Sequence, residues 1–363
     1  MPPLPSPAAT LAAHDPATLA PLVESIGARW AADACGAQAE FPSTDAAQLQ
    51  TGFVCLLADM GLIAARGADT SSFLHNQLTN DVEHLPESEA RWFGYCSPKG
   101  RLLATMLGWR EEDSLQLMLP RPQTEPARRR LAMFVLRAKV RLEDVSQDTL
   151  LLGIGGSAAA RALEALDLQT PAPMQMVHGN AMTVIGLPSV VLQPDSEPVP
   201  RWVLAVPASS LASIWRTLSG ALAPASTTQW RWLEVLSGIP RIVAGAVEQF
   251  VPQMVNLELV GGVSFTKGCY PGQEVVARSQ YLGKLRRRMF LARTSGRIPD
   301  PGTDVLPASG GEPVGQVVVA APTPEGGVDL LLEARTDALL EARPCVNGAP
   351  LVLQTLPYAM PTP

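Results

Sequence analysis

One short segment restricts the local fold of this chain more than any other. Residues 267–274 read Lys-Gly-Cys-Tyr-Pro-Gly-Gln-Glu, which places a cysteine and a proline between two glycines. Proline is favoured in the first turn of a helix, and an acidic residue such as Glu274 suits the positive end of the helix dipole. We therefore predict a loop that becomes a helix at Pro271 and that ends near Gly283, a suitable C-terminal cap.

Cys269 lies in this octapeptide, two residues after Lys267 and just before the predicted helix. The free backbone N–H groups at a helix N-terminus and a neighbouring cation both stabilise a thiolate. Only four of the 28 basic residues are lysines, so a lysine here indicates a need for a compact point charge. We predict that Cys269 and Lys267 are the reactive pair. The alternative is an inert packing cysteine, although a glycine-flanked polar loop is a poor place to bury one.

The distribution of cysteine and histidine excludes several classes of fold and site. The five cysteines are an odd number and are widely spread, without a Cys-x-x-Cys pair. This pattern argues against a disulfide framework and against a self-contained zinc or iron–sulfur cradle, and we predict no metal site. None of the four histidines follows His178, so we expect any chemistry in the second half of the chain to run without imidazole.

Composition places the chain among ordinary globular proteins. Apolar residues make up 47% and charged residues 17%, and the net charge of −6 argues against a dedicated DNA-binding protein. No run of about 18 apolar residues predicts a membrane-spanning helix. No Lys or Arg precedes Arg29, so a basic secretory signal or transit peptide is not indicated. We expect a cytoplasmic monomer.

Hydrophobic periodicity predicts an α+β chain of more than one domain. Residues 1–48 are rich in Ala and Pro and are predicted to be a loosely ordered extension with one helix near 21–34. Residues 49–284 form the main module, whose second subdomain begins near residue 140. Residues 285–363 alternate in hydrophobicity between glycines and prolines, which predicts a small β-barrel.

The same periodicity predicts individual helices and strands. The predicted helices are 68–78, 124–136, 157–166 and 209–222. The predicted strands are 53–57, 61–65, 91–96, 102–109, 140–145, 149–154, 189–192, 314–320, 330–333 and 351–353. Apart from the strand at 189–192, residues 171–201 are predicted to be irregular.

Residues 153–158 match the glycine fingerprint of a dinucleotide-binding site, after a predicted strand and before a predicted helix. That site also needs an acidic residue about 20 positions later to bind a ribose, and no Asp or Glu lies between Thr170 and Val190. We interpret the glycines as a turn that lets the helix pack closely on its strand.

The octapeptide resembles the signature of the YgfZ family of folate-binding proteins, relatives of the glycine-cleavage T-protein, an aminomethyltransferase. Residues 67–82 resemble the family's first helix and the turn after it, and matches at 238–240 and 249–253 extend the resemblance over residues 50–350. The resemblance implies a three-domain, cloverleaf-like aminomethyltransferase fold around a channel that binds tetrahydrofolate, with a small C-terminal β-barrel. It also implies assembly or repair of iron–sulfur clusters, as in oxidative stress, on transient client proteins that include tRNA-modifying enzymes.

The resemblance also implies the site residues. Alignment on residues 238–240 places Trp230 at the family's folate-contacting tryptophan, where an indole stacks well on a flat pteridine. Ordinary core packing is the alternative for Trp230. Met60 stands where some relatives have a second tryptophan. Around the reactive pair, the supporting residues of the motif are Gly268, Tyr270, Gly272, Gln273, Glu274 and Arg278.

Two departures concern the transferase activity. The T-protein has a carboxylate after the strand turn, whereas residues 100–104 contain no acid, so aminomethyl transfer lacks its general base. The pterin-binding glutamate falls at Leu236, with Glu234 two positions earlier. We therefore favour a folate-binding iron–sulfur accessory factor. A one-carbon transferase and a non-catalytic scaffold remain the alternatives.

Residues 284–288, Lys-Leu-Arg-Arg-Arg, form the one strongly basic run. A solvated strand or loop is the first interpretation. The alternative is a docking patch for an acidic client or for RNA.

Overall fold

The computed structural model describes residues 16–42, 44–281, 285–341 and 343–361. Within these ranges the strands form an N-terminal hairpin and three larger sheets of five, six and seven strands. Short helices connect and cover the sheets. The predicted α+β fold, with a barrel-like C-terminal sheet, is confirmed.

A five-stranded antiparallel sheet carries the helix and the turn that later contact the octapeptide. The predicted strand pair at 91–96 and 102–109 is confirmed. The helix predicted at 68–78 ends earlier, at His75, and the one predicted at 124–136 begins earlier, at Arg121, because a strand runs directly into it. The strands are Met60–Arg66, Ala90–Cys96, Leu102–Glu111, Ser114–Pro120 and Arg141–Asp144; the helices are Thr70–His75 and Arg121–Ala132.

A six-stranded mixed sheet forms the second layer. The prediction that 171–201 is mostly irregular is wrong, because this stretch contributes three strands. Its prolines lie where a sheet tolerates them: Pro188 coincides with a register shift, and Pro200 is the second residue of its strand. The strands are Phe53–Leu56, Thr149–Gly155, Met176–Gly179, Met182–Val190, Val199–Pro207 and Ala223–Ala225; the helices are Ala46–Thr51, Ala159–Glu164 and Leu211–Ser219, the last preceded by the 3₁₀ turn Ala208–Ser210.

The described part of the N-terminal extension is ordered. Its helix spans Pro16–Ser25, so the predicted helix at 21–34 is wrong beyond Ser25. Gly27, with φ +81°, ends the helix, and the hairpin Arg29–Asp33 and Gly36–Glu40 follows. Ala37 and Ala39 of this hairpin are fully buried. The domain boundary at residue 48 stays a prediction.

A seven-stranded, nearly closed sheet forms the C-terminal part. The helix Thr227–Leu236 packs against this sheet, the N-terminal hairpin and the six-stranded sheet, so it lies at the centre of the molecule. The indole nitrogen of Trp232 in this helix donates to Asp329 Oδ2 at 2.8 Å. The strands are Arg287–Thr294, Asp304–Pro307, Gly315–Pro322, Val328–Arg335, Pro344–Val346, Ala349–Pro350 and Val352–Gln354; the helices are Gln273–Tyr281 and Thr336–Glu341, with 3₁₀ turns at Ala244–Ala246 and Pro252–Val255.

In the described ranges, no helix combines the length and the apolar character that crossing a membrane requires.

Candidate functional site

The helix that follows the octapeptide begins later than predicted. It spans Gln273–Tyr281, so Pro271 lies before the helix and Cys269 lies four residues before its first residue. Gly272 has φ +81°, a left-handed conformation that cannot continue into a right-handed helix. The predicted position of Cys269 at the helix N-terminus is therefore wrong, and the predicted cap Gly283 lies outside the described residues.

Cys269 is the exposed thiol of the chain. Of the other four cysteines, Cys345 is half-buried and the rest are buried. Burial raises the pKa of Cys96 to about 12 and raises those of Cys35 and Cys55 as well. Cys269 is thus the cysteine that a partner, a reagent or a ligand can reach.

The ammonium group of Lys267 caps the end of a helix. It donates to the carbonyl oxygen of Leu78 at 2.8 Å and to that of His75, and it lies 4.8 Å from the centre of the Tyr270 ring. Burial lowers the pKa of Lys267 to about 8, although Asp81, Glu83 and Cys269 act in the opposite direction. Carbonyls at a helix C-terminus are natural partners of a cation. Lys267 therefore anchors the loop as well as contributing charge near Cys269.

His75 lies against the octapeptide. A Cβ atom at position 268 would be 3.5 Å from His75 Nε2, an ordinary contact distance, so the ring lies beside the backbone of Gly268. The ring is buried, and its Nδ1 lies 3.2 Å from Asp81 Oδ1. The expectation that the second half of the chain works without imidazole stays a prediction, but folding places a histidine from the first half, His75, beside the octapeptide. The sequence feature that points to His75 is its position within residues 67–82, the stretch that resembles the family's first helix and the turn after it.

Two segments hold residues 261–272, here called the cysteine loop. Thr79 Oγ1 donates to the carbonyl oxygen of Gly262 at 2.6 Å, and Asn80 Nδ2 donates to that of Gly261 at 2.7 Å. On the other side, a Cβ atom at Gly272 would lie 2.5 Å from the backbone N of Gly100. The segment after helix Thr70–His75 and the turn at 97–100 therefore fix the loop that presents Cys269.

The remaining residues of the motif differ in environment. Tyr270 is buried, and burial raises its pKa. Gln273 is half-buried, whereas Glu274 and Arg278 are exposed and form no ion pair with any residue that the structure describes. Tyr270 therefore supports the loop from inside, and Glu274 and Arg278 face solvent.

A second group of functional interest is buried beside helix Thr227–Leu236. We call it the buried cluster; it consists of Asp59, Arg201, Trp230, Arg231, Glu234 and Arg241. Asp59 Oδ2 accepts from Arg231 Nε at 2.5 Å and from Arg241 Nη2 at 2.7 Å. Burial alone would raise the pKa of Asp59, but the two guanidinium groups outweigh it and hold this pKa below its ordinary value.

Glu234 continues the cluster towards Trp230. Its Oε2 accepts from Arg241 Nη1 at 2.8 Å, and burial raises the pKa of this carboxyl. Arg201 lies with Cζ 5.4 Å from the centre of the Trp230 ring, and burial lowers the pKa of Arg201 to about 10, so it stays charged at neutral pH. The carboxylate of Glu234 thus stands between two arginines.

Trp230 itself is 1% exposed. A Cβ atom at Gly153 would lie 2.4 Å from the indole, and Phe53 packs at 6.2 Å between ring centres. The first glycine of the apparent dinucleotide fingerprint therefore makes room for Trp230, which belongs to a different helix from the one that follows the fingerprint. The interpretation of the glycines as a turn for that following helix stays a prediction. Met60, next to Asp59 in sequence, is buried in the same core as Trp230.

Several polar atoms of the buried cluster lack partners. Among the described residues, four buried atoms of this cluster make no hydrogen bond of normal geometry. Most buried polar atoms in proteins are paired, so a group of unpaired atoms requires a specific explanation, such as water or a ligand. They are Trp230 Nε1, Arg201 Nη1, Arg241 Nε and Asp59 Oδ1. The indole N–H of Trp230 nevertheless lies close enough to Glu234 to act to lower the pKa of that carboxyl, so its contact with Glu234 is long rather than absent.

The structure thus divides the predicted site residues into two groups. Lys267, Gly268, Cys269, Tyr270 and Gly272 share the cysteine loop, and Gln273, Glu274 and Arg278 lie in the helix that follows it. Trp230 and Met60 lie in the core. Among the described residues, no hydrogen bond or ion pair joins the loop to the buried cluster. In the part of the chain that the structure describes, no group of three or more His, Cys, Asp or Glu side chains is arranged to bind a metal ion.

Two arginines of the basic run at 284–288 pair with carboxylates, whereas Arg286 is exposed. Arg288 is buried and pairs with Glu258, and Arg287 Nη2 donates to Glu333 Oε2 at 2.7 Å. Lys284 lies outside the described residues. The interpretation of the whole run as a solvated segment is therefore wrong for Arg288, because a buried carboxylate pairs with it.

Comparison with solved structures identifies the fold of the chain. The chain superimposes on the crystal structure of glycine cleavage system aminomethyltransferase T from Bartonella henselae with a TM-score of 0.73, covering 94% of this chain and 96% of that one at 15% identity. The predicted aminomethyltransferase fold is confirmed. No protein-family model matches the chain.

Two curated relatives define the family more closely. The tRNA-modifying protein YgfZ of Edwardsiella ictaluri is 32% identical over 308 residues, which cover 82% of this chain and 89% of that protein. The protein of the same name from Colwellia psychrerythraea is 29% identical over 319 residues, covering 86% and 95%. The chain belongs to the YgfZ family.

Proposed function

We propose that this protein is a tetrahydrofolate-binding accessory factor for the assembly or repair of iron–sulfur clusters. Its clients include tRNA-modifying enzymes, which it meets transiently as a cytoplasmic monomer. The observation that carries the proposal is that, of five cysteines, Cys269 alone is exposed, and it lies in the octapeptide typical of the YgfZ family. The relatives' name, tRNA-modifying protein, supports this class of client.

The buried cluster supports the folate part of the proposal. Tetrahydrofolate supplies a flat pterin ring with several N–H donors and a carbonyl acceptor. The unpaired atoms of the cluster include a carboxylate acceptor on Asp59 and donors on Trp230, Arg201 and Arg241, so both kinds of partner are present. Since Trp230 is almost fully buried and Arg201 lies over its ring, binding requires Arg201 to move.

The cysteine loop supports the iron–sulfur part. A thiol is a ligand for iron and a nucleophile towards sulfur, and the loop presents Cys269 to solvent on a backbone held from two sides. A single thiol does not hold a cluster by itself. The protein therefore acts on a cluster or on a cysteine that belongs to a client.

The transferase alternative has less support. After the turn at 97–100, where the T-protein has its carboxylate, this chain has Arg101, which donates to the backbone carbonyl oxygens of Glu248 and Gln249. A guanidinium cannot accept a proton from a folate nitrogen. We therefore expect no aminomethyl transfer.

Complementation tests the proposal directly. In a bacterial strain that lacks its own YgfZ protein, the wild-type chain should restore the tRNA modifications made by iron–sulfur enzymes, measured as modified nucleosides in digested tRNA. Cys269→Ala should fail to restore them, and Cys345→Ala, which removes a half-buried cysteine outside the loop, should succeed. Equal restoration by Cys269→Ala and the wild type would refute the proposed role of the thiol.

A further inference from the structure

Residues 133–139, here called the exposed turn, follow helix Arg121–Ala132 and present large apolar side chains to solvent. Met133 is 65%, Phe134 44% and Leu136 88% exposed. Between them, Val135 packs against the core of the five-stranded sheet, so the turn is fixed to the rest of the protein. Single exposed apolar residues are ordinary, but a group of them at a fixed position marks a surface that a partner covers.

The backbone at Leu136 indicates that its exposure has a function. Leu136 has φ +47°, a left-handed conformation that Gly and Asn adopt much more readily than a leucine does. Its side chain gains little from burial, because most of it faces solvent. Folding alone would therefore favour Gly or Asn at this position. Strained residues that the fold does not require are typical of binding and catalytic sites.

Basic residues surround the exposed turn. Residues 126–142 contain six Arg or Lys and no Asp or Glu, although the whole chain has a net charge of −6. Arg137 and Lys139 are exposed, and their side chains pair with no carboxylate in the described ranges. The turn therefore carries two free positive charges beside its apolar side chains. Other basic residues of this stretch pair with the flanking Glu125 or Glu143; they are Arg128, Arg129 and Arg141.

The exposed turn is joined to the helix that contacts the cysteine loop. The backbone N–H of Lys139 donates to Asp69 Oδ2 at 2.7 Å, and Asp69 immediately precedes helix Thr70–His75. At the other end of this helix, the carbonyl oxygen of His75 accepts from Lys267. A helix of six residues is about 9 Å long. The exposed turn and the loop that presents Cys269 are therefore attached to opposite ends of one short helix.

The chemistry of the exposed turn favours a protein as its partner. Met, Phe and Arg are enriched at protein–protein interfaces. An RNA site would need more free cations, since nucleic-acid-binding proteins commonly contact about 6–10 phosphates, and Met and Leu do not stack on bases as aromatic rings do. A membrane-binding segment presents its apolar residues along an amphipathic helix rather than in a turn. A symmetric contact between two copies of the chain would bring like charges together at Arg137 and Lys139.

We propose that the exposed turn is the docking surface for the client protein, whose matching surface is an apolar pocket bordered by Asp or Glu. Leu136 enters the pocket, and Arg137 and Lys139 pair with the acidic residues. The inference rests on the proposed function, because it states how a client is held while Cys269 acts on its cluster or cysteine.

Leu136→Asn tests the inference, because it removes the apolar side chain and relieves the backbone. It should unfold at the same urea concentration as the wild type or at a higher one, and a lower one would contradict the strain and overturn the inference. In the strain without its own YgfZ protein, it should restore tRNA modification at least about fivefold less well than the wild type, since loss of an interface anchor weakens binding severely.

Ile298→Asn is the matched control, because Ile298 is an exposed aliphatic residue outside the turn. This control should restore modification fully. Full restoration by Leu136→Asn, or an equal loss in Ile298→Asn, overturns the inference.

Charge reversal tests the acidity of the partner. The double variant Arg137→Glu, Lys139→Glu should restore less modification than Arg137→Gln, Lys139→Gln, because reversal adds repulsion to the loss of attraction. Equal restoration by the two double variants would overturn the acidic partner.

Two comparisons separate docking from the proposed function and from other partners. Failure of Cys269→Ala together with full restoration by Leu136→Asn overturns docking alone, whereas restoration by Cys269→Ala refutes the proposed role of the thiol. Purified tRNA, phosphatidylglycerol vesicles and a second copy of the chain are tested by binding and sedimentation. Binding of any of them that Leu136→Asn abolishes would assign the turn to that partner and overturn the inference.

Discussion

The ammonium group of Lys267 donates a hydrogen bond to the carbonyl oxygen of Leu78, 2.8 Å away and 189 positions earlier in the chain. This bond joins the octapeptide to the end of helix Thr70–His75, the segment that also carries His75. The lysine that the sequence pairs with Cys269 therefore has a structural partner as well. Replacing it should change the stability of the loop as well as the charge near the thiol.

Lys267→Arg should be destabilising, because the larger guanidinium does not fit both carbonyl oxygens. Hydrogen bonds that involve a charged group contribute about 1.5–3 kcal/mol each, so we expect a loss of about 2 kcal/mol in the free energy of unfolding at pH 7. Urea denaturation measures the difference. A variant as stable as the wild type would contradict the anchoring role of Lys267.

The free energies of unfolding of the wild type and of Lys267→Arg should depend differently on pH. The pKa of Lys267 is about 8 in the folded protein and 10.5 as its ordinary value. Between these values the folded protein has released this proton and the unfolded chain still holds it, so the free energy of unfolding rises with pH. Arginine does not titrate in this range. From pH 8 to 10.5 the wild type should therefore gain stability relative to Lys267→Arg, and parallel curves would contradict the prediction.

Gly272→Ala should destabilise the protein for two reasons. Its φ of +81° strains any other residue, and the added Cβ would lie 2.5 Å from backbone atoms of the turn at 97–100. Gly310→Ala is the matched control, because φ is +76° and nothing lies within 4 Å of the added atom. We expect a loss of about 1 kcal/mol for the control and at least about 3 kcal/mol for Gly272→Ala, measured by denaturation. Equal losses would contradict the close approach of the two segments.

Asp59→Asn should be among the most destabilising single changes. It removes a fully buried charge between Arg231 and Arg241, and breaking a buried ion pair costs about 3–5 kcal/mol. Glu143→Gln, which breaks the more exposed pairs with Arg66 and Arg141, should cost less than about 1 kcal/mol. Chemical denaturation of both variants tests the contrast, and similar values would show that the buried cluster adds little to stability.

The local hydrophobic pattern correctly predicts the helices and strands whose intrinsic propensity agrees with their packing in the folded protein. The strand pair 91–96 and 102–109 alternates in hydrophobicity around a turn of Ser, Pro, Lys and Gly, and it is found as predicted. Between 176 and 207 the sequence predicts only a strand at 189–192, which overlaps just the end of Met182–Val190. The other residues of these strands are not predicted because the prolines suggest irregular structure, although a register shift accommodates Pro188. For these strands, pairing within the sheet rather than the propensity of individual residues determines the secondary structure.

The candidate site was predicted only in part. The octapeptide identifies the exposed Cys269, but His75, whose ring lies beside Gly268, is almost 200 positions away in sequence, and no local pattern links the two. Likewise, the buried cluster unites Asp59 with arginines from helix Thr227–Leu236 and from the segment after it. Contacts of this kind arise from the packing of sheets and helices, which a single sequence does not reveal.

Calorimetric titration with tetrahydrofolate tests directly whether the protein binds folate at the buried cluster around Trp230. Trp230→Phe and Trp109→Phe make the same exchange at two fully buried tryptophans whose indole nitrogens both lack partners among the described residues. We expect single-site binding to the wild type and to Trp109→Phe, with binding at least about tenfold weaker in Trp230→Phe. No binding to the wild type, or equal affinity in all three proteins, would contradict it.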